Sequence, residues 1–100
     1  MSESRCRKSA VTDEMDRCFR CGSYRNIEIH HIFGASERKL SEKYGLIVPL
    51  CHSCHNEPPD GAHFSKETAQ WLHEVGQRAF EMEGHTRDEF RQIFMRGSYL

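Results

Sequence analysis

Cys18-Phe19-Arg20-Cys21 and Cys51-His52-Ser53-Cys54 form two C-x-x-C pairs with 29 residues between them. No other feature restricts the fold so strongly. Two residues between paired thiolates let both sulfurs of a turn meet one ion at about 2.3 Å, and two such turns complete a tetrahedral all-sulfur set. Zinc suits four thiolates best, and a closed set leaves no open position for chemistry. A redox reading would need a strand-helix-strand context around each pair, which the sequence lacks. The expectation is a structural zinc that ties the stretch before one strand to the turn after another. A chain of 100 residues benefits from such a staple. At this size folding buries only about 60–70% of the surface exposed by the unfolded chain, and structural zinc can supply much of the folding free energy.

Cys6 is left over and reads as a free thiol near the N-terminus. The odd cysteine count, with no apolar h-region in Met1-Ser2-Glu3-Ser4-Arg5, argues for a reducing, cytoplasmic compartment. No run of about 18 apolar residues exists, so no membrane partner is expected. A hydrophobic content of 37% suits a globular chain rather than a disordered tail. The net charge of −1 announces no nucleic-acid partner by itself. Residues 1–50 nevertheless carry nine Lys/Arg against seven Asp/Glu, and residues 51–100 five against eight. A phosphate-facing surface therefore belongs to the first half.

Local patterns divide one domain, 1–100, into three stretches. Residues 1–16 read as a polar, frayed or partly helical lead-in. Gly22, directly after Cys21, suits a turn that needs positive φ. Ile27-Glu28-Ile29-His30-His31-Ile32-Phe33 is β-rich and partly alternating, and Leu46-Ile47-Val48-Pro49-Leu50 is a second short strand whose proline belongs at an edge or end. Residues 34–45 read as a polar connection carrying Arg38, Lys39 and Lys43, and Pro58-Pro59-Asp60-Gly61 breaks any helical turn after Cys54. From Ser65 the period becomes helical. Thr68, Leu72, Val75, Ala79 and Met82 define a face flanked by Trp71 and Phe80, with Trp71, Leu72, Val75 and Phe80 expected in the core. Thr86-Arg87-Asp88-Glu89 is a capping box opening a last helix with Phe90, Ile93 and Phe94 on its apolar side. His52, His73 and His85 are expected on the surface.

The zinc staple also bears on function. It holds Cys21 near Cys51, so the strand carrying His30 and His31 should pass the turn carrying His55; His31 and His55 become neighbours although 24 positions apart. His63 follows beyond the Pro-Pro turn. Taken singly, a strand histidine is more often packed in a core than catalytic, and a turn histidine more often solvated.

With Cys18 and Cys21, then Glu28-Ile29-His30-His31-Ile32, then Leu50-Cys51-His52-Ser53-Cys54-His55, the chain resembles the HNH (ββα-metal) endonuclease family over residues 18–63. It looks most like small phage-type members with a C-x-x-C pair on each side of the hairpin. The resemblance implies an α+β fold: a ββα-metal hairpin-helix core stapled by four-cysteine zinc, followed by C-terminal helices over 65–95. It implies His31 as general base, with His30, His55 and the more distant His63 as ligands of a catalytic divalent ion such as Mg, Mn, Co, Ni or Zn. Arg38 and Lys39 would grip a DNA phosphate. The family's central Asn, which orients the base, would fall here at Leu46, so Ser41 or Tyr44 would take over that task. The activity implied is DNA hydrolysis with little sequence preference, in a setting of phage DNA processing or packaging. The competing expectation is a zinc module that binds nucleic acid or protein without turnover.

Overall fold

In the computed structural model, which describes residues 9–100, two five-residue strands pair antiparallel: β1 (Ile27–His31) and β2 (Ile47–Cys51). Ile27 faces Cys51 and His31 faces Ile47, so the register sets both histidines of β1 at the end far from the cysteine. All of β2 is buried, while β1 buries only His30 fully. Pro49 fits this two-stranded sheet because its missing donor faces outward, and its carbonyl accepts from Phe19 N at 2.7 Å.

The polar connection expected over 34–45 is instead folded. A 3-10 turn (Ala35–Glu37) leads into helix α1 (Arg38–Tyr44), which Gly45 closes at φ 71°. Arg38 and Lys39 therefore sit in the first turn of a helix, not on a loop. Periodicity missed α1 because the residue it buries is Ser41, whose hydroxyl accepts from Phe33 N at 3.0 Å and donates to Phe33 O at 2.7 Å. Of the lead-in expected over 1–16, only residues 9–16 are described. Residues 9–16 contain no helix; Ala10 N donates to Gly45 O and the Ser9 hydroxyl to Ile47 O. Cys6 lies outside the described residues.

Helix α2 (His52–Asn56) follows β2 directly and completes a strand-strand-helix element. Helix α3 (Lys66–Met82) starts at Ser65, whose side chain accepts from Thr68 N at 3.1 Å. Its buried residues are Thr68, Leu72, Gly76, Gln77 and Phe80. The expected face is thus turned by part of a step: Met82 is 82% exposed, Trp71 38% exposed and stacked on Phe19, and Val75 only half-buried. Gly76 is the cause. A Cβ there would stand 2.7 Å from Ile32 Cγ2, so glycine allows α3 to press on Ile32 and Phe33 at a position no hydrophobic pattern can mark. Helix α4 (Arg87–Phe94) carries the full capping box, with Glu89 N to Thr86 Oγ1 at 3.1 Å and Thr86 N to Glu89 Oε1 at 2.7 Å.

The core lies between the sheet and α3–α4. Phe33, Phe80, Phe90 and Phe94 are buried and meet ring to ring, Phe33–Phe94 at 4.8 Å between centroids and Phe80–Phe90 at 5.8 Å. His73 and His85, expected on the surface, are half-buried against this cluster. His73 stacks on Phe33 at 5.2 Å and His85 on Phe80 at 4.2 Å. The result is a small α+β fold. Among the described residues no helix is long and apolar enough to cross a membrane.

Candidate metal centres

The first C-x-x-C pair forms a tight knuckle. Cys18 N donates to Ser23 O, Gly22 N to Cys18 O, and Cys21 N to the Cys18 sulfur, with Gly22 at φ 83° as its position requires. The second pair lies where β2 passes into α2. All four sulfurs fall within 4.8 Å of one another, and Cys21 Sγ to Cys51 Sγ is 3.6 Å. Sulfurs each about 2.3 Å from one tetrahedral ion would stand roughly 3.8 Å apart, so the cluster fits a zinc. Its electrostatics favour a cation as well. Burial pushes the Cys54 thiol up to about 12, against the Arg20 guanidinium at 3.6 Å. Burial also acts upward on Cys18, but backbone N–H groups of Cys51, Cys21 and Arg20 outweigh it and bring that thiol down to about 6. Four thiolates held this close repel one another, and a divalent ion removes that cost.

A second cluster forms at the other side of α2. Ligand nitrogens of His30, His55 and His63 all lie within 4.8 Å of one another. His30 comes from the buried end of β1, His55 from α2, and His63 from the turn beyond. Two backbone bonds bring His63 back: Ala62 N to Cys54 O at 2.8 Å and His63 N to His55 O at 3.2 Å. Gly61 makes this return close enough, since a Cβ there would meet Glu57 O at 2.6 Å. The Nε2 atoms of His55 and His63 are 3.1 Å apart.

Glu28 sets the tautomer of His55. Its carboxylate accepts from His55 Nδ1 at 2.7 Å and from Asn56 Nδ2 at 3.1 Å, so the proton of His55 sits on Nδ1 and the lone pair on Nε2 faces His63. The other oxygen of Glu28 takes His52 Nδ1 at 2.9 Å. These bonds hold the Glu28 carboxyl below its ordinary range, His55 contributing most. His30 is pushed down to about 3, first by burial and then by the neighbouring imidazoles, and His63 is lowered for the same reasons. Three imidazoles whose ligand nitrogens lie this close together are what a divalent ion of borderline character takes as ligands.

His31 lies beside this cluster. Its Nε2 meets Glu42 Oε2 at 2.5 Å, and its side chain is 9% exposed. An open cavity of about 230 Å³ is lined by His30, His31, His55, His63 and Arg38, together with Ile29, Gly34 and Ala35. Of the residues expected to grip phosphate, Arg38 reaches this cavity and Lys39 is not among its lining. Glu28 and Glu42 escaped the sequence reading. Glu28 carried a signal, since it shares the strand face of His30 at a spacing of two. Glu42 carried none until α1 was recognised, because only a helix sets it on the same side as Arg38.

No known protein-family model, curated protein or solved structure matches the chain.

Proposed function

We propose that this chain is a metal-dependent DNA endonuclease of the HNH type, hydrolysing phosphodiester bonds with little sequence preference. One observation carries the reading: three imidazoles offer ligand nitrogens within 4.8 Å of one another, on a cavity that His31 and Arg38 also line. His30, His55 and His63 would hold the ion. A divalent cation there (Mg, Mn, Co, Ni or Zn) supplies Lewis-acid stabilisation of the charge that builds on phosphate and leaving oxygen. His31, with Nε2 bonded to Glu42, keeps the Nδ1 lone pair to take the proton from water, a contribution of about 10²–10⁴-fold. Arg38 can bind a phosphate oxygen pair through its planar guanidinium. The four cysteines would hold zinc at a distance from this chemistry and hold the hairpin shut around it. A setting in phage DNA processing or packaging belongs to the same reading.

Incubation of the zinc-loaded protein with supercoiled plasmid and each added ion tests it. The parent should nick, and His31→Ala should fall to background while its zinc content and thermal melt stay unchanged. A variant that cuts as fast as the parent would remove His31 from the role. A parent that retains DNA yet never nicks would favour the non-catalytic zinc module, which the apolar Leu46 in place of an orienting Asn also suits.

A further inference from the structure

We infer that Glu42 is the positioning residue of His31, fixing which ring nitrogen carries the proton and so doing the work for which no asparagine is at hand. The inference rests on reading His31 as the base. Neither residue expected to orient it is placed to do so. Ser41 is buried with its hydroxyl bonded to both backbone groups of Phe33, and Tyr44 packs edge-on against Phe80 and His85. Leu46 is fully buried in the core. Glu42 instead meets His31 Nε2 at 2.5 Å, from one helical turn beyond Arg38 on the same side of α1.

The chemistry follows from the bond. A carboxylate only accepts, so the hydrogen of His31 resides on Nε2 and the lone pair on Nδ1. A neutral imidazole left to itself distributes that proton between both nitrogens, and the wrong tautomer cannot take a proton from the water it faces. The partner also fixes the ring plane, since a side chain with two χ angles held at its far nitrogen has little freedom left. The same helix thereby sets the base and the phosphate-facing Arg38 together, which couples their spacing to a single rigid element.

The test uses the full zinc-loaded chain and two variants, Glu42→Ala and Glu42→Gln, with imidazole ¹⁵N shifts at one fixed alkaline pH and single-turnover nicking at saturating Mn. In the parent, His31 should show one tautomer with Nε2 protonated. Glu42→Ala should mix the tautomers and slow nicking about 10²-fold, within the range for misoriented bases. Glu42→Gln keeps an oxygen that accepts from Nε2, so it should hold the single tautomer and recover to within about tenfold of the parent. An alanine variant with an unmixed tautomer overturns the inference, as does equal slowing of both variants. A parent that never nicks sinks the nuclease reading alone, since the tautomer comparison still decides whether Glu42 holds His31.

Discussion

His63 Nε2 stands 3.1 Å from His55 Nε2, although eight positions and the Pro58-Pro59 turn separate them in sequence. Two imidazole nitrogens this close, one with its lone pair directed by Glu28, form an unfavourable pair unless a proton or a cation lies between them. The arrangement makes the second centre measurable apart from any activity.

Metal content should therefore reach two ions per chain after loading with zinc or cobalt. His55→Ala with His63→Ala should leave one. Glu28→Gln, which weakens the hold on His55 Nδ1, should lower affinity for the second ion by about 10–100-fold. Equilibrium dialysis with elemental analysis reads both quantities, and a parent that never exceeds one ion would count against the histidine centre.

Loss of the cysteine centre should be a folding defect. Cys51→Ser with Cys54→Ser should abolish the cooperative thermal transition seen by circular dichroism, and a strong chelator should do the same to the parent. The four sulfurs connect the knuckle at Cys18–Cys21 to the junction of β2 and α2. A chelated chain that melts at the parent temperature would show that the core needs no staple.

Gly76→Ala should destabilise the fold despite the better helix propensity of alanine. The new methyl would stand 2.7 Å from Ile32 Cγ2 and 3.1 Å from Phe33 Cε2, in a region without slack. Overpacking of this kind costs about 1–3 kcal/mol, against a gain of about 1 kcal/mol for replacing glycine in a helix. Urea unfolding should show a net loss of about 1 kcal/mol; a gain would mean that Ile32 moves aside freely.

His73 should make stability fall on the acid side. Burial, and next the Arg96 charge, lower its proton affinity in the folded chain, where it stacks on Phe33. Below the unfolded value of about 6.5 the unfolded chain binds this proton more readily, so stability is full above that pH and declines as pH drops toward the lowered folded value. His73→Phe keeps a ring against Phe33 and removes the titration. The stability difference between parent and variant should shift against the parent from pH 8 to pH 5.5, by urea denaturation; a constant difference would show that His73 charges without penalty.

Several features were legible along the chain because their causes are local. The knuckle glycine, the onset of helical period at Ser65 and the box at Thr86–Glu89 each depend on residues within three or four positions. Helix α1 was not legible. Its one fully buried residue is Ser41, bonded to the backbone of Phe33 in another segment, while its apolar Leu40 and Tyr44 are only partly buried against the core. The face of α3 was misplaced for a related reason: its buried side includes Gly76, which has no side chain to count.

The candidate site divides along the same line. Residue type and spacing marked the four cysteines, and the position of the histidines at 30, 31, 55 and 63 relative to them, with the family resemblance, marked the rest of the candidate site. Which carboxylates serve them was settled only by folding. Glu28 reaches His55 across 27 positions and Glu42 reaches His31 across 11, and contacts over such separations arise from strand register, a helix start and a turn acting together. Hydrogen bonds between polar groups carry no periodic trace in a sequence, whereas their partners' identities do.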